Sequence, residues 1–248
     1  MLRLGTISMI LVSGSGKLAK ELLKLSTDDL PITILSKREM DITDEYKVSD
    51  VIKSFMMKPD YPKYFVHTAA LTKPMRVNDK NPIMSMTTNI VGTANVARIC
   101  YKYGIKFIYI STDFVYDSEK VYRGKWTPDV YEESKVKPSN NYGWSKLGGE
   151  CVSKLISNSL ILRCSLCDIP FRHKIAFNDV YRNSITHEEV AGIILKLKDE
   201  TGVINVGGEY KSVYDFVSQY QEIEKGPDNN KASSLQLSIE KLRGILNE

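Results

Sequence analysis

The sequence predicts an α/β fold in which a doubly wound parallel sheet is covered by helices on both faces. Three observations indicate it. Short, continuous apolar runs recur along the chain, and segments with helical periodicity lie between them. The first apolar run ends in a glycine turn that leads directly into a helical segment. Strands and helices that alternate in this way form parallel sheets with right-handed crossovers.

Five apolar runs are predicted to be buried strands, because strands covered on both faces carry few polar residues. They are residues 9–12, 32–35, 64–66, 107–110 and 160–162. Helices are predicted between them at 18–25, 46–57, 83–103 and 144–156. Ligands of such sheets bind at the carboxyl ends of the strands. The residues that fall there are Gly14, Thr68, Ser111 and Thr112.

The turn at residues 14–19 reads G-S-G-K-L-A and matches the pattern G-x-G-x-x-A between a strand and a helix. In a dinucleotide site the first glycine allows a tight turn, and the second lets the backbone approach a pyrophosphate. The last small residue allows close helix packing. We therefore predict a dinucleotide site rather than a plain structural turn. The residues expected at the cofactor are Gly14, Ser15, Gly16, Lys17 and Leu18.

The end of the second predicted strand indicates which dinucleotide binds. An NAD site usually presents a carboxylate there to the ribose hydroxyls, whereas this chain has Ser36 followed by Lys37 and Arg38. Two cations suit a 2′-phosphate. We therefore expect NADP(H), with NAD(H) as the alternative, and solvated loop charges as the interpretation without a ligand.

Tyr142 and Lys146 lie four residues apart at the start of a predicted helix and so share one helix face. The residues just before them, P-S-N-N at 138–141, offer capping side chains. Thr112 lies at a strand end that faces the same edge of the sheet. This arrangement suits proton transfer from Tyr142 to a carbonyl oxygen that Thr112 also binds, and we expect Lys146 to lower the tyrosine pKa toward 7.

The spacing of tyrosine and lysine alone is a weak indication, because the 14 tyrosines of the chain give three Tyr-x-x-x-Lys matches. Those that begin at Tyr116 and Tyr131 lie in a stretch rich in charge, proline and glycine. We interpret both as loop residues without a catalytic role. Only Tyr142 begins a segment with a helical apolar stripe. A surface tyrosine beside a lysine is the alternative interpretation.

Composition excludes several classes of protein. The chain has 248 residues, of which 42% are hydrophobic and 26% charged, and its net charge of +4 is spread without a basic run. We therefore expect no nucleic-acid partner. No apolar stretch has membrane-spanning length, so we expect no membrane association and a cytoplasmic location. The four cysteines are expected to be reduced, buried thiols, and no histidine cluster predicts a metal site.

The motifs STDFVYD from Ser111 and YGWSKLGGE from Tyr142 resemble those of the extended short-chain dehydrogenase/reductase superfamily, and within it the dTDP-4-dehydrorhamnose reductase family. Similar segments extend over nearly the whole chain. They include ILVSGSGKLAKEL from Ile10, MDITD from Met40, HTAALT from His67, NVGG from Asn205 and SSLQLSIEKL from Ser233.

The resemblance implies an NAD(P)-binding Rossmann fold with a dinucleotide-binding domain at 1–163 and a small, shortened substrate-binding part at 164–248, interleaved with it. It implies NADPH-dependent reduction of a 4-keto-6-deoxy sugar nucleotide in rhamnose-type deoxysugar biosynthesis. The catalytic residues that it implies are Thr112, Tyr142 and Lys146. Tyr142 and Lys146 also contact the cofactor, together with Asp41, Ile42, Ala69 and Ala70.

The chain departs from the family pattern at the substrate side. Leu166 stands where the family usually has a tryptophan, and the helical segment before Asn178 is shortened. We therefore expect a reduced sugar-nucleotide pocket, or a homodimer in which a second subunit fills the gap. Both versions leave the identity of the nucleotide and sugar open.

Three other functions compete with the reductase. A sugar-nucleotide dehydratase would have an acid where this chain has Phe114 after Asp113, and an epimerase-reductase would need an acid/base pair that the strand ends do not supply. A non-catalytic regulatory subunit similar to the methionine adenosyltransferase β subunit would share the fold and bind a dinucleotide. The shortened substrate region favours that third function, whereas the complete set of Thr112, Tyr142 and Lys146 favours the enzyme.

Overall fold

The computed structural model describes residues 8–72, 75–116, 122, 124–228 and 233–247. In chain order its strands are β1 (Met9–Ser13), β2 (Ile32–Leu35), β3 (Pro62–His67), β4 (Lys106–Thr112), β5 (Asp129–Val130), β6 (Leu160–Cys164), β7 (Ile175–Phe177), β8 (Tyr181–Arg182), β9 (Gly202–Val206), β10 (Lys211–Ser212), β11 (Glu224–Gly226) and β12 (Gln236–Leu237). Six of them form a parallel sheet in the order β2-β1-β3-β4-β6-β9.

Helices connect the strands of this sheet. They are α1 (Lys17–Lys24), α2 (Glu45–Met56), α3 (Met75–Lys80), α4 (Pro82–Ser85), α5 (Gly92–Lys102), α6 (Asn141–Lys154), α7 (His187–Leu197), α8 (Val213–Val217) and α9 (Glu240–Leu246). A π-helical segment, Met86–Val91, joins α4 to α5, and a 3-10 turn, Asp113–Val115, follows β4. In the part of the chain described above, no helix is long and apolar enough to span a membrane.

Two apolar cores cover the two faces of the sheet, because successive side chains of a strand point to opposite faces. In β1, Ile10 and Val12 lie in the core that contains Leu22 of α1 and Ile194 of α7. Leu11, between them, lies in the core formed with α2 and α5. The continuous apolar runs in the sequence are therefore strands buried on both sides, which is the physical reason that they lack alternation.

The predicted doubly wound α/β fold is confirmed. All five predicted strands are present as β1, β2, β3, β4 and β6, and the predicted helices at 18–25, 46–57 and 144–156 are α1, α2 and α6 within three residues at each end. The segment predicted as one helix at 83–103 is formed by α4, the π-helical segment and α5 in succession.

The sixth strand of the sheet, β9, was not predicted. It pairs with β6 from Leu160 opposite Gly202 to Cys164 opposite Val206, and α7 covers the face beside it. Residues 164–248 therefore contribute to the main sheet as well as to the short pairs β7 with β11 and β8 with β10. The proposed domain boundary after residue 163 falls within β6, which is paired on both edges. The boundary therefore stays a proposal.

A buried ion pair joins α6 to β6. The Arg163 guanidinium donates to both carboxylate oxygens of Glu150, from Nε at 3.0 Å to Oε1 and from Nη2 at 2.7 Å to Oε2. Their side chains are 1% and 0% exposed. Moving a charge out of water costs free energy, and a buried ion recovers it only when it is paired and fully hydrogen-bonded. The bidentate geometry of this pair supplies such a partner.

Neighbouring polar groups complete this network. Glu150 also accepts from Ser111 Oγ at 2.6 Å, and Arg163 Nη1 donates to the hydroxyl of Tyr116 at 3.0 Å. The Tyr116 hydroxyl in turn donates to Asn205 of β9. Tyr116 lies outside the named helices and strands, as expected of a loop residue, but it is 2% exposed and belongs to the buried network, which sequence reasoning did not predict. Its lysine partner in the spacing, Lys120, lies outside the described residues.

Removing one member of the ion pair should be costly. We expect Arg163→Met to reduce the free energy of unfolding by ~3–5 kcal/mol, since it leaves the Glu150 carboxylate buried without a partner. Arg163→Met/Glu150→Met should recover much of that loss because no charge is then stranded. Urea unfolding measures both variants. Arg98→Met, at an exposed arginine that pairs with Glu45, should change stability little, and equal losses at the two arginines would contradict the argument.

Candidate active site at the carboxyl edge of the sheet

The glycine turn lies at the carboxyl end of β1, where the sequence places it. Gly14 has a φ of +88°, a conformation that favours glycine, and its amide donates to the Leu35 carbonyl at 2.8 Å. A Cβ atom added at Gly14 would lie 3.1 Å from the Cα of Ala69. The turn therefore packs closely on the loop after β3, and both conformation and contact require a glycine there.

At Gly16, neither the backbone conformation nor a close contact requires a glycine. Its φ is −71°, and a Cβ atom added to it would meet no atom within 4 Å. Gly16 is also the N-cap of α1 and provides no side chain to satisfy the first amides of that helix. An open backbone surface at a helix N-terminus fits the approach of a pyrophosphate, which accepts hydrogen bonds from free amides.

The other loop residues expected at the cofactor differ in their surroundings. Ser15 is exposed beside Gly16, whereas Leu18 is 6% exposed and its side chain packs in the core under α1. Leu18 can therefore reach a phosphate only through its backbone. The ammonium of Lys17 donates to the Ile169 carbonyl at 3.1 Å and lies 3.5 Å from Asp168. The glycine loop is thus tied to the segment that follows β6.

The end of β2 carries the expected cations together with carboxylates. Lys37 is 84% exposed and lies 3.5 Å from Asp41 Oδ2, and Arg38 is exposed beside it. The amide and hydroxyl of Ser36 both donate to Glu39 Oε2, at 2.8 and 2.6 Å. These two hydrogen bonds lower the Glu39 pKa. Sequence reasoning did not single out Glu39, although its position three residues after Ser36 is the spacing of such a turn.

The remaining expected cofactor residues line the same edge. Partial burial opposes ionisation of Asp41, but hydrogen bonds from the amide and hydroxyl of Thr43, together with the nearby Lys37 ammonium, outweigh it and hold the Asp41 pKa below its usual value. Ile42 is buried, and its side chain would collide with any side chain at Gly92. Ala69 donates its amide to Ser13 Oγ at 3.3 Å, and Ala70 is partly exposed next to it.

A buried histidine connects the glycine turn to α5. His67 Nδ1 lies 2.8 Å from Ser13 Oγ, and its Nε2 lies 3.1 Å from Thr93 Oγ1. Burial, with a smaller contribution from the charge of Lys146, lowers the His67 pKa to about 3. The imidazole is therefore neutral at physiological pH and is no proton donor for a reaction. Its role in the structure is to hold β1, β3 and α5 in register.

Tyr142 is brought to Thr112 by the close packing of α6 on the turn after β4. Asn140 is the N-cap of α6 and accepts from the Gly143 amide at 2.8 Å, as the capping residues predict. A Cβ atom at Gly143 would collide with the Phe114 carbonyl oxygen and with Pro138. The ring of Tyr142 packs edge-on against Phe114, with the ring centroids 6.1 Å apart. Thr112, at the end of β4, is therefore adjacent to the phenol.

The pKa of Tyr142 differs from our expectation. Burial and the nearby Asp113 carboxylate raise it well above its usual value, although a hydrogen bond with Thr112 opposes the rise and Cys164 adds to it. The Tyr142 pKa is raised, so the expectation that the Lys146 charge lowers it toward 7 is wrong. The phenol is fully protonated at neutral pH, which is the form that a proton donor needs.

The burial of Lys146 explains why it does not lower the Tyr142 pKa as expected. Its side chain is 4% exposed, and burial lowers its pKa to about 7, although the Glu150 carboxylate one turn away opposes that shift. The ammonium lies 4.1 Å from the centroid of the Tyr109 ring and has no hydrogen-bond or ion-pair partner among the described residues. A buried ammonium with free donors fits a ligand that brings hydroxyl oxygens, such as a ribose.

Asp113 is the charged group next to this pair, and its partners come from β4, from the residue after β6 and from β8. Its Oδ1 accepts from Thr112 Oγ1 at 3.1 Å, and its Oδ2 accepts from Ser165 Oγ at 2.8 Å and from Arg182 Nη1 at 2.9 Å. Sequence reasoning placed neither Ser165 nor Arg182 here. The only signal in the sequence is the charge of Arg182, in a segment that has no clear helix or strand periodicity.

The cysteines are free thiols, but they do not all share one environment. Cys100 and Cys164 are buried, whereas Cys167 is partly exposed and Cys151 is exposed, contrary to the expectation of four buried thiols. Burial raises the pKa of Cys164 far above its usual value. Within the described ranges, no group of three or more histidine, cysteine or acidic side chains could hold a metal ion.

Comparison with known proteins defines the class to which this fold and site belong. Residues 8–167 match the family model of the RmlD substrate binding domain. The chain therefore belongs to this family, and the resemblance to the dTDP-4-dehydrorhamnose reductases is confirmed.

Individual relatives match over part of their length. The dTDP-4-dehydrorhamnose reductase of Aggregatibacter actinomycetemcomitans is 28% identical over 163 residues, which cover 64% of this chain and 51% of that protein. Methionine adenosyltransferase 2 subunit beta of Xenopus laevis is 31% identical over 111 residues, covering 45% of this chain and 29% of that protein. The chain thus spans about half or less of these curated relatives.

A solved structure extends the likeness over the whole fold. The dTDP-4-dehydrorhamnose reductase of Bacillus anthracis, in complex with NADP, superposes with a TM-score of 0.79 at 22% identity. The match covers 96% of this chain and 93% of that chain. It confirms the fold class over both the main sheet and the short C-terminal pairs.

The buried ammonium of Lys146 should make stability depend on pH. Its pKa is about 7 in the folded protein and 10.5 in the unfolded chain, so its burial opposes folding fully below pH 7, and the penalty fades as the pH rises to 10.5. Lys146→Met should therefore stabilise the cofactor-free protein, by a few kcal/mol at the acidic end. Urea unfolding across this pH range measures the effect. Lys154→Met, on the exposed side of the same helix, is the control, and a Lys146→Met gain that does not fall with rising pH would contradict the burial argument.

Proposed function

We propose that this protein is an NADPH-dependent reductase of a 4-keto-6-deoxy sugar nucleotide, of the dTDP-4-dehydrorhamnose reductase type, in rhamnose-type deoxysugar biosynthesis. The observation that carries the proposal is the meeting of Thr112, Tyr142 and Lys146 at one edge of the sheet, in a chain of the RmlD substrate binding domain family. A phenol, a hydroxyl and an ammonium beside a glycine turn are the groups that reduction of a ketone requires.

The cofactor would lie along the carboxyl edge of the sheet. Gly16 and the free amides at the start of α1 would take its pyrophosphate, and Lys37 and Arg38 would take the 2′-phosphate. Lys146 would donate to the hydroxyls of the nicotinamide ribose. When bound, NADPH supplies the hydride that the ketone carbon receives.

The protein's own groups handle the proton. Tyr142 gives its phenolic proton to the ketone oxygen, and its raised pKa keeps that proton in place until the substrate oxygen gains negative charge. The Thr112 hydroxyl lies next to the phenol, and on substrate binding it would turn its hydrogen from Asp113 Oδ1 to the same ketone oxygen and stabilise the charge that develops there. Ribose hydroxyls that accept from Lys146 would favour its charged form and raise its pKa above about 7. The lysine would then support the ionised phenol only after the cofactor has bound.

The substrate would be held by the residues after β6. Apart from β9 of the main sheet, and α7 and α9, which pack on that sheet, the described residues of this part form short strand pairs and the short helix α8, which agrees with the expected reduced sugar-nucleotide pocket. We extend the proposal to a homodimer in which the second subunit completes the pocket. The chain's identity as a reductase does not depend on that extension.

Cofactor choice can be measured without a substrate. We expect calorimetric titration to show NADPH binding more tightly than NADH, since hydrogen bonds to a charged phosphate contribute ~1.5–3 kcal/mol, or about tenfold or more in affinity. Lys37→Ala/Arg38→Ala should reduce that difference, and Glu39→Gln should enlarge it by removing a negative charge near the phosphate. Lys20→Ala, at an exposed lysine of α1, is the control. Equal affinities in the parent protein would remove the claim of selectivity.

The direct test of the reductase is oxidation of NADPH by the purified protein with a panel of 4-keto-6-deoxy sugar nucleotides. Tyr142→Phe removes only the phenolic hydroxyl, so NADPH binding should survive while the turnover rate falls by the ~10²- to 10⁴-fold that losing a general acid typically costs. Stopped-flow absorbance of NADPH measures the hydride step. Titration of NADPH into the variant measures binding separately.

Tyr131→Phe is the matched control, because Tyr131 has the same spacing to a lysine but is 44% exposed in the loop after β5. It should reduce the keto sugar as fast as the parent. Tyr116 is unsuitable as a control, since its hydroxyl is part of the buried network around Arg163. A Tyr142→Phe protein that retains the parent rate would contradict the assignment of Tyr142.

A second candidate function is favoured by a specific observation, the match to methionine adenosyltransferase 2 subunit beta at 31% identity. In that case the chain would be a non-catalytic regulatory subunit that binds NADP(H). A parent protein that binds NADPH, turns over no keto-sugar nucleotide and forms a complex with a methionine adenosyltransferase catalytic subunit would replace the reductase by this function.

A further inference from the structure

Arg182 reaches the catalytic edge of the sheet from the C-terminal part of the chain. It lies in β8, 69 residues after Asp113, and its Nη1 donates to Asp113 Oδ2 at 2.9 Å. Its Nη2 donates to the Ser233 carbonyl at 3.2 Å, and its guanidinium lies 5.2 Å from the centroid of the Phe114 ring. The arginine is therefore held from three sides and has a fixed position.

The Asp113 carboxylate needs this cation. Asp113 is 3% exposed, and a carboxylate removed from water is costly unless it is paired and hydrogen-bonded. Ser165 provides a hydrogen bond but no charge. Arg182 is the cation that forms an ion pair with Asp113 among the described residues, and the side chains of the pair are 20% and 4% exposed.

The orientation of the carboxylate fixes the Thr112 hydroxyl. A hydroxyl has one hydrogen, and that of Thr112 points to Asp113 Oδ1, while its oxygen accepts from the Phe114 amide at 3.3 Å. Arg182 and Ser165 both bind Oδ2. The second oxygen, Oδ1, is thereby turned toward Thr112. Without the arginine the carboxylate could rotate, and Thr112 Oγ1 would lose the contact with Oδ1 that holds it in place beside the phenol.

We propose that Arg182 is a positioning residue of the reductase site, which orients Thr112 through Asp113 and supplies the countercharge to this carboxylate beside Tyr142. The inference rests on the proposed function and deepens it. The C-terminal part of the chain is expected to contact the substrate. The inference gives it a second role, in the geometry of proton transfer.

Several charged or titratable groups lie around Tyr142 and the residues that it contacts. They are Asp113 after β4, Tyr109 in β4, Cys164 in β6, Lys146 and Glu150 in α6, and Arg182 in β8. After burial, the Asp113 carboxylate is the largest influence that raises the Tyr142 pKa. Removing the Arg182 charge should strengthen that influence, and removing the Asp113 charge should abolish it.

The kinetic test uses Arg182→Ala with chemical rescue. We expect kcat for reduction of the keto-sugar nucleotide to fall by ~10- to 100-fold, with KM for that substrate and the Kd for NADPH nearly unchanged. Millimolar guanidinium should restore much of the loss, because the side chain is partly exposed and a free cation can enter its place. Arg182→Lys, which keeps the charge, should lose less. Arg98→Ala is the control and should show neither loss nor rescue.

A second test needs no turnover and so remains decisive if the proposed function fails. Carbon-13 at the ζ position of tyrosine reports ionisation by NMR, and Tyr142→Phe identifies the resonance of Tyr142 among the 14 tyrosines. Asp113→Asn should let Tyr142 ionise at lower pH than in the parent. Asp113→Asn/Arg182→Gln should ionise at higher pH than Asp113→Asn alone, since the nearby positive charge is gone.

Each alternative result has a defined meaning. Equal Tyr142 titrations in Asp113→Asn and Asp113→Asn/Arg182→Gln would overturn the electrostatic part of the proposal. A rise in KM at unchanged kcat would show that Arg182 binds the substrate instead. Loss of NADPH binding without guanidinium rescue would reduce the arginine to a structural role. A parent without turnover would refute the proposed function, while the NMR titrations would still decide the role of Arg182.

Discussion

The buried ion pair between Arg163 and Glu150 is the constraint on which the geometry of the edge depends. Glu150 lies one helical turn after Lys146 on α6, and its carboxylate is held by β4 through Ser111 and by β6 through Arg163. Because a stranded charge at this position would be costly, α6 cannot slide or rotate against the sheet. The rotation of α6 in turn sets where Tyr142 and Lys146 point. A structural interaction away from the reacting atoms thus fixes the reacting groups.

The features predicted correctly from sequence are those that local physical chemistry decides. A strand buried on both faces must be continuously apolar, so β1 and β4 are recognised in the sequence as continuous apolar runs. A helix needs an N-cap, so Asn140 marks the start of α6 and places Tyr142 in its first turn. The positive φ of Gly14 likewise follows from a turn between a strand and a helix. Each signal lies within a few residues of the feature that it predicts.

The features that were missed depend on contacts between distant segments. Arg182 meets Asp113 across 69 residues and Tyr116 meets Asn205 across 89, and no local pattern encodes either contact. The direction in which the Tyr142 pKa is shifted could not be predicted either, because it depends on how deeply the phenol and its neighbours are buried. A lysine at the expected spacing proved to be desolvated and to lie over Tyr109, which only the three-dimensional packing could reveal.

The hydrogen bonds of His67 have one permitted direction. Thr93 gives its single hydrogen to the Asn89 carbonyl, so its oxygen must accept from His67 Nε2, and His67 Nδ1 must then accept from Ser13. The imidazole is confined to one tautomer, and a second proton on Nδ1 would force the Ser13 hydroxyl to turn its own hydrogen away to another acceptor. With a pKa of about 3, this cross-link carries no charge at neutral pH. The contact between the glycine turn and α5 is therefore neutral, although Lys146, whose charge helps to lower the His67 pKa, lies near it.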